Sequence, residues 1–289
     1  MTDQTSPNAT PCLPDPTDMA APACPSTLLV RRSGAVWHVT LNRPAQRNAM
    51  SAQMVAELRT VLDETQASQE ARVLVLRGAG GHFCSGDEAA DGALPLTMLD
   101  SSQVGPQSAA DSNAALGELY AALADCRLAL VAVVEGTTAA SGIALACVAD
   151  VVIAGQHANF QLQDAAHGMV PAQLAGLLVE RLGYAQARRL AVIGGVLDAN
   201  SALAMGLVHQ VHASGALDLA LADLLRNIMR NAPGAVAATK RLMAQSRLQS
   251  VGERISAAAL AFACAAASGE AAEGRLAKLQ KRKPAWAGA

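Results

Sequence analysis

The sequence predicts an α/β fold in which a sheet with parallel strands is covered by helices. Three observations carry that reading. Strand-like and helix-like stretches alternate through the first half of the chain. Two of the strand-like stretches, VLVLRG at 73–78 and the run from Ala129 to Glu135, are almost continuously apolar, as strands buried on both faces should be. After Ala175 the pattern becomes almost entirely helical.

The elements follow in order. The first 27 residues are rich in proline and contain no Lys or Arg, so they lack the basic start and apolar middle of a signal peptide. They read as a disordered tail in which Cys12 and Cys24 are solvated. From Leu28 the alternation around Ser33-Gly34 predicts a hairpin whose second strand, Ala35 to Leu41, is stopped by Pro44. Ser51 can cap a helix running to about Ala67, with Met54, Leu58, Val61 and Leu62 on one stripe. The strand at 73–78 leads into a glycine-rich loop, AGGHFCSG, at 79–86. The stretch from Asp87 to about Ser112 has no firm periodicity and is predicted to be a mobile loop beside the substrate.

A helix from about Asn113 to Cys126 then precedes the strand at Ala129 to Glu135, the small-residue turn GTTAASG, an apolar helix to Ala149 and the strand VVIA at 151–154. Two βαβ crossovers in succession require parallel pairing. Beyond Ala175 come helical stretches, a strand-like VHQVH, and helices near 215–230, 233–247 and 251–281. Alanine-rich faces such as ISAAALAFACAAA permit close helix packing between subunits. The expected organisation is a tail at 1–27, a core at 28–215 and a helical region at 216–289.

Composition excludes several classes of function. With 289 residues the chain can bury roughly 75% of its unfolded surface. Hydrophobic residues at 52% and a net charge of −2 rule out a wholly disordered chain and remove the electrostatic basis for nucleic-acid binding. Aromatics at 2% leave no platform for stacking bases. The longest apolar runs, such as LALVAVV at 128–134, fall far short of the ~20 residues that span a bilayer. Six cysteines without a CxxC pair suit a reducing cytosol better than a disulfide scaffold or a metal site. The expectation is a cytoplasmic protein with no nucleic-acid or membrane partner.

Six segments, in this order, resemble the crotonase superfamily, also called the enoyl-CoA hydratase/isomerase family. They are VTLNRPAQRNAMS, VLVLRGAGGHFCSGDE, LVAVVEGTTAASGIALACVADVVIA, ANFQLQDAAHGMVPA, ALAMGLVHQV and EGRLAKLQKRKPAW, and the likeness spans roughly residues 28–286. The resemblance implies a crotonase-like spiral of ββα units with a helical C-terminal extension, assembled as a homotrimer or hexamer. It also implies an acyl-thioester substrate carried by CoA or by the phosphopantetheine of an acyl carrier protein, with no other cofactor.

A thioester carbonyl that must bear negative charge needs two fixed N–H donors converging on its oxygen, and glycine-rich turns at helix N-termini can supply them. The resemblance places one donor on the backbone of Asp87, after Gly86, and the other on the backbone of Ser141, with Gly142 keeping the turn uncrowded. Hydratases of this family hold and activate water with two glutamates. Here the first of those positions is Ala144, and the second is Asp164, one methylene shorter. The missing arm moves a carboxylate oxygen by roughly 1.5 Å, and misplacement of about 1 Å can cost ~100-fold in rate.

Family members that manage with the second carboxylate alone are double-bond isomerases, some dehydratases, and decarboxylases. NFQLQDAAHGMVPAQLAGLLVERLGYAQARRL and SGIALACVAD look most like the dehydratases of polyketide β-branching cassettes, which act on a carrier-bound 3-hydroxy-3-methylglutaryl group. His167, three residues after Asp164, could share in proton transfer because histidine titrates near neutrality. Glu88 could touch substrate. By the same resemblance Arg47 lies near the CoA phosphates, with Arg43 adjacent, and Lys281 and Lys283 could reach a neighbouring subunit's ligand. His82 reads as a turn residue contacting backbone, and His209 and His212 as unrelated to the chemistry. The expected activity is dehydration or hydration of an acyl thioester. The alternatives are a Δ3,Δ2 isomerase, a decarboxylase, or a non-catalytic thioester- or carrier-binding subunit.

Overall fold

The computed structural model describes residues 27–87, 106–213 and 215–288. Nearly all of the expected tail, Glu88 and most of the expected loop lie outside them.

The hairpin pairs β1 (Leu28–Ser33) with β2 (Val36–Leu41) antiparallel, and it forms one edge of a six-stranded sheet. β3 (Val73–Gly78), β4 (Ala129–Val134), β6 (Val151–Gly155) and β9 (Gln210–His212) follow in the order β1-β2-β3-β4-β6-β9, parallel from β2 onward. The apolar runs are explained by burial on both faces. In β3, Leu74 and Leu76 point to the larger core, while Val73 and Val75 point to a second layer on the opposite face.

The larger core takes Met54, Leu58 and Leu62 from α1 (Ala52–Ala67) and Leu116, Leu119 and Leu123 from α2 (Pro106–Ala124). The apolar helix α3 (Ser141–Val148) is buried with them. On the second face Leu217 and Leu221 of α7 (Leu217–Met229) pack on Val73, Val131 and Ile153. This helix, assigned by sequence to the C-terminal region, therefore belongs to the sheet's own layers.

The α1 cap forms as expected. The Ser51 hydroxyl accepts the Met54 N–H at 3.2 Å. Ser51→Ala is expected to cost about 1 kcal/mol of stability, read as a lowered midpoint in urea unfolding.

Two expectations need correction, and one sheet was not anticipated. Residues 106–112 are helix rather than loop, because Pro106 suits a first helical turn and Ala109 and Ala110 favour continuation. A second sheet of β5 (Thr137–Ala139), β7 (Asn159–Leu162) and β8 (Gly195–Asp198) was not visible in the pattern, since strands of three or four residues are too short to display alternation. The long helix expected at 251–281 is two, α9 (Val251–Ala266) and α10 (Gly269–Leu279), because the Ser268 hydroxyl accepts the Ala271 N–H at 3.1 Å and starts a new helix. Helices α4 (Gln173–Leu182), α5 (Tyr184–Ile193), α6 (Ala199–Ala204) and α8 (Pro233–Ser246) complete the architecture. No single helix among the described residues is long and apolar enough to cross a membrane.

Candidate active site

The two small-residue loops meet at the carboxyl ends of β3 and β4. Their backbones pair directly: the Ala139 N–H donates to the Cys84 carbonyl at 2.9 Å, and Cys84 bridges Thr138 in parallel register. That closeness demands glycine. A Cβ on Gly142 would stand 2.4 Å from the Cys84 carbonyl oxygen. Gly86 has φ +114° and lies against Ala139 and Ala140, a conformation that L residues rarely adopt. The first loop is anchored from below by buried Asn48, whose amide donates to the carbonyls of Ala79 and His82 at 2.9 and 2.8 Å.

This arrangement holds Asp87 and Ser141 side by side on one cavity wall. Ser141 is the first residue of α3, and Ala140 before it has φ +39° and offers no side-chain cap. Its amide is one of the first donors of the helix, without an intrahelical carbonyl, and it reaches the Asp87 carboxyl at a helix end where the macrodipole favours negative charge. Among the described residues no main-chain carbonyl takes the Asp87 or the Ser141 amide.

The cavity measures about 470 Å³ and is walled by these loops, by α2 and by the segment from Gln161 to Leu174. Asp164 and His167 both line it, as does the methyl group of Ala144. Asp164 follows β7, and its carbonyl accepts the N–H groups of His167 and Met169 at 3.0 and 2.9 Å, which fixes the turn that presents its carboxylate. Gln173 closes the wall by donating to Asn113 at 3.0 Å.

Two side chains that the sequence does not mark as chemical also face the site. The Ser141 hydroxyl donates to the Asp87 carboxylate, and the Tyr120 hydroxyl lies 2.5 Å from Ser141 Oγ. Burial pushes the Asp87 carboxyl above its ordinary range. Hydrogen bonds from Ser141 pull it back, and the charge of Asp164 pushes it up again. Tyr120 is raised by burial first and by Asp87 second. Tyr120 sits on the same α2 stripe as Leu116, Leu119 and Leu123, so the pattern alone makes it one more core residue. Cys84, beneath the loops, is buried and pushed up to about 12, so it packs and does not attack.

The other residues singled out in the sequence divide cleanly. Gly86 lines the cavity, and Gly142 lies just behind it. Arg47 touches the site only through backbone, its carbonyl accepting the Ser85 N–H at 3.0 Å, while its side chain is exposed. Lys281 is exposed after α10 and does not line the cavity. Glu88 lies outside the described residues. His82 accepts the Thr137 N–H through Nδ1 at 3.2 Å and His209 accepts the Val152 N–H at 2.8 Å, both structural roles away from the chemistry.

The chain is similar to known proteins over most of its length. The family model described as Enoyl-CoA hydratase/isomerase matches residues 31–289. A 2,3-dehydroadipyl-CoA hydratase of Escherichia coli (strain K12) is 31% identical over 91% of this chain and 99% of its own length. A peroxisomal Delta(3,5)-Delta(2,4)-dienoyl-CoA isomerase of Arabidopsis thaliana is 28% identical over 88% of this chain and 93% of its own. The solved structure of Pseudomonas aeruginosa AtuE superposes with a TM-score of 0.86 at 42% identity, covering 91% of this chain and all of that one.

Proposed function

We propose, for a chain that belongs to the enoyl-CoA hydratase/isomerase family of the crotonase superfamily, that it dehydrates 3-hydroxyacyl thioesters or hydrates the corresponding 2-enoyl thioesters through an enolate. The observation that supports this reading is that Asp87, Ser141 and Asp164 all line one cavity. Asp164 takes the Cα proton, the charge moves to the thioester oxygen between the two amides, and loss of the Cβ hydroxyl with a proton completes elimination. Hydration is the same path in reverse. The chemistry needs no metal, nicotinamide or flavin, because the thioester is its own electron sink.

Isomerisation of a 3-enoyl thioester is the second reading, favoured by the dienoyl-CoA isomerase among the relatives and by Ala144, since moving a double bond requires no held water. A finer reading, dehydration of a carrier-bound 3-hydroxy-3-methylglutaryl group in polyketide β-branching, would bring a free carboxylate into the cavity. The described lining residues include two aspartates and no Lys or Arg, so an uncharged acyl chain suits the wall better. A homotrimer or hexamer would cover the apolar side chains that α9 exposes, with Ile255, Leu260 and Phe262 between 66% and 76% accessible.

Incubation with 3-hydroxybutyryl-CoA and 3-butenoyl-CoA, followed by mass spectrometry and chromatography, tests the choice. A product lighter by one water from the first substrate is expected. A mass-neutral shift of the alkene in the second, with the first untouched, would favour isomerisation. No change in either, with retained thioester binding, would make the chain a binding subunit.

A further inference from the structure

The proposed elimination leaves one proton unassigned, the one that departs with the β-oxygen. The position that carries a glutamate in two-carboxylate relatives is Ala144 here, and its methyl group cannot supply that proton. Ala144 lies one helical turn after Ser141, so the two side chains share a face of α3, and both line the cavity. Across from Ser141 stands Asp87, whose carboxylate accepts the Ser141 hydroxyl. The space that Ala144 leaves open is thus bordered by a carboxyl group arriving from the neighbouring loop.

The order of donors and acceptors follows from proton count. Ser141 has one hydroxyl proton and gives it to Asp87 Oδ1, so at the 2.5 Å contact Tyr120 must be the donor to Ser141 Oγ. A buried tyrosine, through a buried serine, therefore orients the Asp87 carboxyl, which the Ser141 main-chain N–H also reaches. The other titratable groups on the described wall are Asp164 and His167.

We propose that the Asp87 side chain, held by Ser141 and Tyr120, is the second acid–base group of this site and gives its proton to the departing β-oxygen. The inference rests on the enolate reading above. Asp164 removes the Cα proton and the C–H electron pair becomes the enolate. The thioester carbonyl then re-forms, Cα=Cβ forms, and the Cβ–O bond breaks with its electron pair on oxygen. That oxygen takes the carboxyl proton of Asp87 and leaves as water. Asp164 ends protonated and Asp87 ionised, and one proton passed between them through solvent resets the pair.

A neutral Asp87 is also what the neighbouring oxyanion seat requires, because an ionised carboxylate there would repel the charge that the two amides stabilise. Asp87 and Asp164 line the same cavity, and burial together with the charge of Asp164 favours the neutral form of Asp87, the form that has a proton to give.

The test compares a leaving group that needs a proton with one that does not. Wild-type protein, Asp87→Asn and Asp164→Asn are each given 3-hydroxybutyryl-CoA and 3-chlorobutyryl-CoA, and Cα exchange is followed in D₂O. Asp87→Asn is expected to lose roughly 10²-fold in water elimination, to eliminate chloride at close to the wild-type rate, and to keep Cα exchange. Asp164→Asn should lose all three. Equal losses on both substrates in Asp87→Asn would make Asp87 a positioning residue and overturn the proposal, as would undiminished water elimination. Should Asp87→Asn not fold, Ser141→Ala unhooks the carboxyl while keeping the amide, and it must show the same preference for the chloride substrate. If wild-type protein neither exchanges Cα nor eliminates from either substrate, it is the enolate reading that fails.

Discussion

Asp164→Asn is expected to reduce turnover of an acyl thioester by roughly 10²–10⁴-fold while leaving thioester affinity nearly unchanged. The amide is isosteric with the carboxylate, so the turn survives, because it is the Asp164 main-chain carbonyl that accepts the His167 and Met169 N–H groups. Only the capacity to take a proton is lost. Binding persists because the two loop amides and the apolar wall from Leu116 to Leu174 are untouched. Single-turnover kinetics and ligand titration separate the two effects. Unchanged turnover would move the base elsewhere, to His167 first, since it lines the same wall. Asp164→Glu adds a sharper question. If the cavity is built around the shorter arm, the longer one overshoots by roughly one C–C bond, and activity falls about 100-fold instead of rising.

How much of this could be read from the chain depended on the length scale of each signal. The six-stranded sheet was legible because Val73 to Leu76 and Ala129 to Val134 are apolar at every position, which only burial on both faces explains. The second sheet was not, since Asn159–Leu162 spans too few residues for alternation to stand out. Asp87, Ser141 and Asp164 were reached through motif order, and all three residues line one cavity. The setting of the Asp87 side chain was not legible, because its hydrogen-bond partner lies 54 residues away. Nothing local to FCSGDE says that its carboxyl will meet Ser141 and, beyond it, Tyr120. Such contacts are set by which loops abut, and the abutment follows from glycines whose neighbours are equally distant.

Those glycines give the other large effect. Gly142→Ala is expected to lower kcat by roughly 10²–10³-fold, the loss that follows when one oxyanion donor is misplaced. The new Cβ would stand 2.4 Å from the Cys84 carbonyl oxygen and 3.1 Å from the Cys84 side chain. Backbone cannot yield there as a flexible side chain would. Cys84 is fully buried, its carbonyl already accepts the Ala139 N–H, and the loop behind it is tied to Asn48. The strain is instead released by moving the start of α3, which carries the Ser141 amide. Ala140, already at φ +39°, has little freedom to absorb the shift. Activity should therefore collapse along with a drop in melting temperature, and Cα exchange should fall with it, because enolate formation itself depends on that amide. Gly176→Ala, at a glycine on α4 with open space where a Cβ would go, is the matched control and should leave turnover and stability close to wild type. Full activity in Gly142→Ala with unaltered Cα exchange would mean that the Ser141 amide does not hold the developing charge.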